Sequence, residues 1–417
     1  MYKTKYILHK ILKKNPFIKK LAIYIRYTLI PLGLSSVLKP FAMMMSIFRI
    51  RFLPFGTDMI GHLAGEPDCY LKEIILGKEQ KKYIEIILAP ADTVANDHLL
   101  GYWKRYFYII KSPFICKLLK QITKDSSLTY DISTYFYHEA TTCKPVRCYQ
   151  IYDQYGSQQP ILQLSQHDNE RGNRWLRSMG VPDNAWFVAI HARDDSFHPS
   201  RKDDQSFRDS DIRSYHLAIK AITEKGGWCI RVGKNRKDKL DYINQLIESE
   251  LEGEKNEWLD VFLCSKANFF LGSSSGLLML PTVFGTPTVC VNVAPMTVFP
   301  FGHRDLSIPK LVYSNNESRC LNFCEILELD IANANSSRYF ERLNLTLINN
   351  SSEEIRDIAI EMMELLDGSI VYDGCDYINQ EKFKHLIKPH HYGYGYKSRI
   401  GKDFLKKYNS LLSNPKI

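Results

Sequence analysis

The chain has 417 residues, of which 45% are hydrophobic and 24% are charged. This composition excludes a disordered or fibrous protein, and the length predicts two or three domains rather than one core. The formal net charge is +9. The positive charge is unevenly spread, because residues 1–57 contain no Asp or Glu.

The first predicted element is a basic amphipathic segment, residues 1–51. Apolar and basic side chains alternate there at helical spacing, as in Ile7, Leu8, Ile11 and Leu12 beside Lys10, Lys13 and Lys14. The pattern suits a helix on an anionic membrane surface, and a solvated basic face of a domain would show it equally. Pro31, Lys39 and Pro40 interrupt the apolar stretch 27–48, which argues against a spanning helix. We therefore predict a peripheral protein on the inner face of the cytoplasmic membrane.

The cysteines point to a reducing compartment. None of the 10 cysteines belongs to paired CxxC sets, and Cys229, Cys264 and Cys290 lie within apolar strand patterns. This usage indicates reduced core residues rather than a disulfide framework or a zinc site, and hence a cytoplasmic protein. Because the positive charge is terminal rather than spread along an aromatic-lined groove, we expect no nucleic-acid partner.

Residues 52–155 are predicted to form a first Rossmann-like domain, which includes a strand-like run, Tyr83–Leu88. Its motif FGTDMIGH and the turn that follows supply four residues of interest, Asp58, Gly61, His62 and Glu66. A His or carboxylate that faces a bound hydroxyl can act as a general base, so His62 and Asp58 are catalytic candidates. A helix N-terminus capped by Thr57 or Asp58 explains the motif equally well. Asn96, in VANDHLL, is a further candidate of the same domain.

A polar stretch near residues 150–170 predicts a domain boundary, after which strand and helix patterns alternate. The predicted strands include Phe187–Arg193, Trp228–Gly233, Asn268–Leu271 and Thr286–Asn292. One predicted helix, capped by Asp209 or Ser210, has the apolar face Ile212, Tyr215, Ala218, Ile219 and Ile222. A second contains Leu240, Ile243, Leu246 and Ile247, and a third covers about Ser275 to Phe284. This alternation predicts a parallel sheet of βαβ units, so residues 156–370 are expected to form a second Rossmann-like domain.

The end of the chain carries one more helix signal and a tail. The sequence NNSSEEI (Asn349–Ile355) is typical of a capped helix start. Residues 371–417 are basic and rich in Tyr, and we predict that this tail packs back on the first domain.

Three strand ends of the second domain carry groups suited to an anion. Residues two apart on a strand share a face, so His191 and Arg193 could both reach the crevice beyond the sheet. An Arg offers a bidentate fork to a diphosphate, and a His offers a donor or proton carrier. The alternative is a buried His with an Arg that pairs with Asp194 or Asp195. Asn292 ends a third strand.

A serine-rich turn strengthens the prediction of an anion site. Its small residues, which allow backbone N–H groups to approach phosphate oxygens, are Gly272, Ser273, Ser274, Ser275 and Gly276. Arg208 could assist Arg193. Asp209 and Asp211 spell the DxD of metal-dependent sugar transferases, but a helix cap is the preferred interpretation. Neither GxGxxG nor GxxxxGK[ST] is present, which disfavours a standard dinucleotide site and a P-loop kinase.

These motifs resemble a known family. HARDDSF, RDSDIRSYHLAIKAITEKGGWCIRVG and DVFLCSKANFFLGSSSGLLMLPTVFGTPTVCVN resemble the donor-side half of bacterial surface-polysaccharide glycosyltransferases with the GT-B fold. IGHLAGEP, NNSSEEI and SRIGKDFL fit the same family, so the resemblance covers about residues 52–412. The HxR motif is also similar to the first motif of the α-1,6- and O-fucosyltransferases, which implies that Arg193 holds a donor diphosphate. The family commonly has Arg-Asn where this chain has Arg208-Asp209.

The resemblance implies an α/β protein of GT-B type, with two Rossmann-like domains facing across a cleft. We expect a metal-independent glycosyltransferase in which Arg193, Arg208 and the N–H groups near Ser273–Gly276 neutralise the leaving diphosphate in place of a metal. No cofactor is expected, because the nucleotide-sugar donor is a substrate. The acceptor is expected to be a glycan or a lipid-linked molecule, with Gly61, Glu66 and Asn96 on its side. Two alternatives stay open: another transferase or an oxidoreductase that uses a phosphate-bearing cofactor, and a non-catalytic assembly protein attached to the membrane.

Overall fold

The structure is a computed structural model. It describes residues 42–79, 82–123, 127–132, 135, 147–194, 202–233, 238, 240–248, 256–334 and 336–412. The predicted amphipathic segment 1–51 lies outside these residues except for 42–51. Within the described ranges, no helix is both long and apolar enough to cross a bilayer.

The elements have the following bounds. A short helix covers residues 42–47. The strands are β1 Ile50–Leu53, β2 Ile84–Leu88, β3 Tyr108–Ile110, β4 Phe187–His191, β5 Trp228–Arg231, β6 Leu246–Glu248, β7 Phe269–Ser273, β8 Thr288–Val293, β9 Leu306–Pro309, β10 Leu311–Ser314, β11 Arg319–Cys320, β12 Leu345–Ile348 and β13 Arg399–Ile400. The α-helices are α1 Ile60–Ile75, α2 Asp97–Trp103, α3 Pro113–Thr123, α4 Arg147–Tyr155, α5 Gln166–Ser178, α6 Lys202–Gln205, α7 His216–Glu224, α8 Glu257–Lys266, α9 Met279–Val283, α10 Phe323–Glu328, α11 Ser337–Arg342, α12 Ser352–Asp367, α13 Gly374–Leu386 and α14 Lys402–Lys407. Short 3-10 helices include Ser206–Arg208, Ile212–Tyr215 and Gly276–Leu278.

The chain divides into two compact units. Unit 1 contains the described residues of Met1–Phe55, Lys81–Val94 and Lys104–Asp131, and unit 2 those of Gly56–Gln80, Ala95–Trp103 and Ile132–Ile417. The chain passes between the units several times before residue 132. The predicted domain ranges, including a tail that packs on the first domain, stay predictions.

Unit 1 is built on a small parallel sheet in the order β1-β2-β3. The predicted strand within Tyr83–Leu88 is confirmed as β2. A hydrophobic cluster joins the sheet to helix 42–47 and to α3; its buried members are Met45, Phe52, Leu88, Cys116, Leu119 and Leu128.

Unit 2 contains a seven-stranded sheet in the order β13-β9-β8-β7-β4-β5-β6. Every pairing in it is parallel, which confirms the predicted α/β class with a large parallel sheet. The central strands β7 and β8 are buried at every position, because a parallel sheet covered on both faces requires continuous apolar runs. A separate three-stranded antiparallel sheet has the order β11-β10-β12.

Two predicted helices of unit 2 are confirmed. The predicted face of Ile212, Tyr215, Ala218, Ile219 and Ile222 is buried along a 3-10 turn and α7, which packs against α12. At the start of α12, Ser351 accepts from the Glu354 N–H and the Glu354 side chain accepts from the Ser351 N–H. This reciprocal capping box is the one that NNSSEEI predicts.

Two predictions about secondary structure were wrong. The predicted helix through Leu240 and Ile247 is not formed, because residues 246–248 form β6 and pair with β5. Cys264 lies in helix α8 rather than in a strand. Residues 259 and 261–264 of α8 are all buried, so the helix shows a continuous apolar run that periodicity alone does not distinguish from a buried strand.

The cysteines are free thiols in the part of the chain that the structure describes. Those in the core are Cys69, Cys116, Cys148, Cys229, Cys264 and Cys290. Burial raises the pKa of each of these thiols, for instance that of Cys290 to about 12, which keeps them protonated and unreactive near neutral pH.

Candidate functional site

The predicted anion-binding groups come together at the carboxyl ends of the central strands of unit 2. Strand β4 ends at His191 and its neighbour β7 ends at Ser273, with His191 paired to Gly272. Strand β8 follows on the other side of β7. In an open α/β sheet, this edge is where ligands bind.

Direct hydrogen bonds join the HxR segment to the serine-rich turn. The Arg193 N–H donates to Ser273 Oγ at 2.9 Å, and Ser273 is fully buried. The Arg193 carbonyl accepts from the Ser210 N–H at 2.9 Å. The backbone around Arg193 is therefore fixed between the turn and the loop that contains Ser210.

The Arg193 guanidinium is paired with a carboxylate of the same chain. Its Nη1 donates to the Gln205 carbonyl at 3.1 Å and forms an ion pair with the Asp209 carboxylate. The Arg193 side chain is 17% exposed and that of Asp209 28%, so the pair borders solvent. Asp209 is thus an observed partner of Arg193. The sequence alternative of a pair with Asp194 or Asp195 stays a prediction, and Asp195 lies outside the described residues.

Arg208 contacts the serine-rich turn. Its Nε donates to the Ser274 carbonyl at 3.0 Å, and its Nη1 donates to Gln205 Oε1 at 3.2 Å. Asp211, not Asp209, is the capping residue of this segment: its carboxylate accepts from the Arg213 N–H at 2.9 Å.

Lys310 is a site residue that sequence analysis missed. It directly follows β9, its Nζ donates to the Asp209 carbonyl at 2.7 Å, and it is only 5% exposed. Burial lowers the pKa of Lys310 to about 8, an effect that the Asp209 carboxylate opposes and the Arg193 guanidinium reinforces. The sequence feature that could have pointed to Lys310 is a single Lys within the apolar run IPKLVY.

The serine-rich turn is tightly packed. A Cβ on Gly272 would lie 2.4 Å from a ring carbon of Phe270, so only glycine fits there. Ser274 Oγ accepts from the Ala294 N–H at 3.4 Å. Ser275 Oγ is buried and has no hydrogen-bond partner among the described residues. A buried hydroxyl without a partner costs free energy, so a ligand oxygen at this turn would be stabilised by it.

The start of α1 touches this turn. A Cβ on Gly61 would lie 2.9 Å from Gly276 Cα, and a Cβ on Gly276 would lie 3.1 Å from Gly61 N. The two predicted glycines thus meet backbone to backbone within unit 2. This close approach brings the first turn of α1, which carries His62, beside the predicted anion site.

His62 is oriented by a buried carboxylate. Its Nδ1 lies 2.7 Å from Glu66 Oε1, and Glu66 Oε2 accepts from the Gly56 N–H at 2.7 Å. Glu66 is fully buried. The alternative that Thr57 or Asp58 caps α1 is wrong, because the N-cap is Met59 and no side chain caps it. Asp58 is exposed near the same turn.

The remaining predicted residues are held by the protein. His191 Nδ1 lies 3.2 Å from the Val232 carbonyl. Asn292, fully buried with φ of 53°, donates to Ser210 Oγ at 2.8 Å and accepts from the Asn350 N–H at 2.7 Å. Asn96 is buried and accepts from the Leu99 N–H at 2.7 Å, as an N-cap of α2 does. In the structure these two Asn side chains fix neighbouring segments rather than line the site.

No cluster of three or more His, Cys, Asp or Glu side chains suited to a metal ion occurs within the ranges that the structure describes.

Comparison with known proteins gives distant structural likenesses. No family model matches the sequence, and no curated protein matches it. The chain is similar to E. coli ADP-heptose LPS heptosyltransferase II, with a TM-score of 0.39 and 12% identity over 63% of this chain and 91% of that chain. It is also similar to TibC, an iron-containing dodecameric glycosyltransferase of enterotoxigenic E. coli, with a TM-score of 0.34 and 16% identity over 58% of each chain. A family 9 glycosyl transferase of Veillonella parvula has a TM-score of 0.28 and 12% identity over 56% of this chain and 62% of that chain. These low TM-scores carry no function over to this chain, so its function is inferred from its own residues.

Proposed function

We propose that this protein is a glycosyltransferase of GT-B type. It transfers a sugar from a nucleotide-sugar donor to a glycan or lipid-linked acceptor in bacterial surface polysaccharide synthesis, without a metal ion. The observation that carries the proposal is the 2.9 Å bond from the Arg193 N–H to Ser273 Oγ. It joins the guanidinium-bearing segment and the serine-rich turn at one edge of a parallel sheet, which is where α/β enzymes bind phosphates.

The donor diphosphate replaces the Asp209 carboxylate at Arg193. In the structure the Arg193 guanidinium is paired with the Asp209 carboxylate. A diphosphate can accept the same kind of paired hydrogen bonds from the guanidinium and carries more negative charge. Lys310 and Arg208 lie within the same hydrogen-bonded network and add positive charge as the leaving diphosphate becomes more negative. Cations placed in advance stabilise that charge in the transition state, which is the part a metal ion plays in other transferases.

His62 removes the proton from the acceptor hydroxyl. Because a carboxylate only accepts hydrogen bonds, Glu66 holds the proton of His62 on Nδ1 and leaves Nε2 as the basic nitrogen. In an inverting reaction, the acceptor oxygen forms a bond to the anomeric carbon and the bond from that carbon to the diphosphate oxygen breaks. The hydroxyl proton passes to Nε2 and the nucleoside diphosphate leaves.

The composition of residues 1–57 supports a membrane location for the proposed enzyme. A segment with many Lys and Arg and no Asp or Glu over residues 1–57 supports a protein on the cytoplasmic face of an anionic membrane. A lipid-linked acceptor would be presented at the same surface.

The test is donor binding and slow donor hydrolysis, measured with a panel of ADP-, GDP-, UDP-, dTDP- and CMP-sugars. One family of donors is expected to bind, and Arg193→Ala is expected to weaken that binding about 10- to 100-fold, the loss of one charge-assisted contact. The matched control is Arg213→Ala, since Arg213 also pairs with an aspartate but is 66% exposed on the surface. If no donor binds, or if both variants bind like the wild type, the assignment is wrong.

A further inference from the structure

Exposed apolar side chains are concentrated in unit 1. Ten of the eighteen large hydrophobic residues that are exposed among the described residues belong to this smaller unit. Scattered exposed hydrophobics are normal, whereas a contiguous group of them marks an interaction surface.

Two neighbouring elements carry most of this group. Helix 42–47 and α3 contribute Met45, Cys116 and Leu119 to one buried cluster, so the two elements lie side by side. Their other sides are open. The exposed residues there, which we name the apolar face, are Met43, Met44, Ile47, Phe48, Phe114, Ile115 and Leu118.

The apolar face is large and well exposed. Met43 is 70% exposed, Ile47 71% and Phe114 76%. On α3, Phe114 and Leu118 are four residues apart and therefore share one side of the helix. The opposite side of α3 is already used by the buried Cys116 and Leu119.

The charge around the apolar face has one sign. Residues 42–55 and 104–123 contain no Asp or Glu. Arg49, Lys117 and Lys120 are exposed on the same two elements or next to them. Apolar side chains with a basic surround are the combination that inserts at the headgroup level of an anionic bilayer. A protein partner would instead require a shape-matched acidic surface.

We propose that the apolar face docks unit 1 on an anionic lipid bilayer. The apolar side chains enter the boundary between headgroups and acyl chains, and the Lys and Arg side chains contact lipid phosphates. The proposal rests on the proposed function for its purpose, which is to hold the enzyme at the surface where a lipid-linked acceptor is found. It assigns a surface of unit 1 that combines the last described part of the predicted amphipathic segment, residues 42–48, with the exposed side of α3.

The test uses the full-length protein and vesicles of phosphatidylcholine, with or without phosphatidylglycerol. Wild-type protein is expected to co-sediment with the anionic vesicles and much less with the neutral ones. The double variant Phe114→Ser/Leu118→Ser is expected to bind about ten-fold more weakly or worse, because it removes buried apolar area from the lipid contact. A second variant, Lys117→Glu/Lys120→Glu, keeps every apolar group and is expected to lose affinity for the anionic vesicles in particular.

The control variant is Val371→Ser/Ile378→Ser in unit 2, whose side chains are 76% and 56% exposed and have the carboxylates of Asp373 and Glu381 near them in the sequence. It is expected to bind vesicles like the wild type. Donor hydrolysis without lipid should be unchanged in all three variants, so failure of the docking surface can be told apart from failure of the proposed function.

Vesicle binding by the Phe114→Ser/Leu118→Ser variant at the wild-type level would overturn the proposal, even if the protein is membrane-bound through its first residues. So would a wild type that ignores anionic vesicles but forms a dimer that this variant cannot form. In that case the apolar face is a contact between two copies of the chain.

Discussion

At the scale of single residues, Glu66 gives His62 its direction. The fully buried carboxylate accepts from two donors at once, His62 Nδ1 and the Gly56 N–H. An amide of the same size has only one acceptor oxygen and can serve only one of them. Substitution of His62 therefore tests whether the imidazole is needed, and substitution of Glu66 tests whether its orientation is needed.

We expect His62→Ala to lower kcat about 100- to 10,000-fold with donor Kd unchanged, because a general base acts in the transition state. Glu66→Gln should lower kcat as well and cost about 1–3 kcal/mol of unfolding free energy, since one buried donor loses its acceptor. Steady-state kinetics, donor titration and urea unfolding of the same preparations check this. Transfer by His62→Ala at the wild-type rate would point to Asp58, and Asp58→Asn is the variant to examine then.

Lys310 makes the anion site sensitive to pH. Its pKa of about 8 means that the side chain loses its positive charge just above neutral pH. We expect nucleoside diphosphate affinity to fall as pH rises through about 8, and the Lys310→Met variant to show a flatter profile. Isothermal titration at several pH values measures both. Parallel profiles for the two proteins would exclude Lys310 from the anion site.

The same pKa predicts the opposite trend for stability. The folded pKa of about 8 lies below the ordinary 10.5, so between these values the unfolded chain binds more protons. The contribution of Lys310 to the unfolding free energy therefore rises with pH across that window. From pH 8 to pH 10, the unfolding free energy of the wild type should therefore increase relative to that of Lys310→Met, as urea unfolding at each pH would measure.

At the scale of elements, α1 and the serine-rich turn depend on two glycines. The first turn of α1 approaches Gly276 so closely that Gly61 has no room for a side chain. Any displacement of α1 moves His62 away from the turn. Contact between the two backbones therefore couples stability to the geometry of the site.

We expect Gly61→Ala to destabilise the protein by about 1–3 kcal/mol, because the new Cβ meets backbone atoms that must shift. The matched control is Gly101→Ala in α2, where a Cβ would meet nothing within 4 Å; it should be neutral or stabilise by up to about 1 kcal/mol. Urea midpoints and donor hydrolysis rates check both variants. If the two substitutions have the same effect, close approach is not the reason for glycine at position 61.

Several elements follow from local signals in the sequence. Apolar runs with clear ends predicted β4, β7 and β8, and the capping motif predicted α12, because both signals are local. The pairing of β6 with β5 is a tertiary contact, and it overrides the helical spacing of Leu240 and Ile247. Lys310 was missed because a lone Lys in an apolar run acquires meaning only when the fold places it beside Asp209. The contact of Gly61 with Gly276 joins residues far apart in sequence, and spacing holds no information about it.

At the scale of the whole molecule, positive charge occurs in two settings. Arg193 and Lys310 are mostly buried beside a strand edge of unit 2. The Lys and Arg residues around the apolar face are exposed in unit 1, and they follow a chain start without any Asp or Glu. Salt screens exposed charges much more than buried ones, so the two settings are expected to respond differently to ionic strength.

We expect added NaCl to weaken vesicle binding steeply and donor binding only slightly. The Debye length falls from about 10 Å at 0.1 M salt to about 3 Å at 1 M, which removes most of the roughly 1 kcal/mol that each exposed basic residue gains near anionic lipid. Vesicle co-sedimentation and donor titration across one salt series measure both constants on the same protein. Equal salt slopes for the two ligands would mean that donor and membrane share one exposed basic surface, contrary to the assignment of the donor to the buried cations of unit 2.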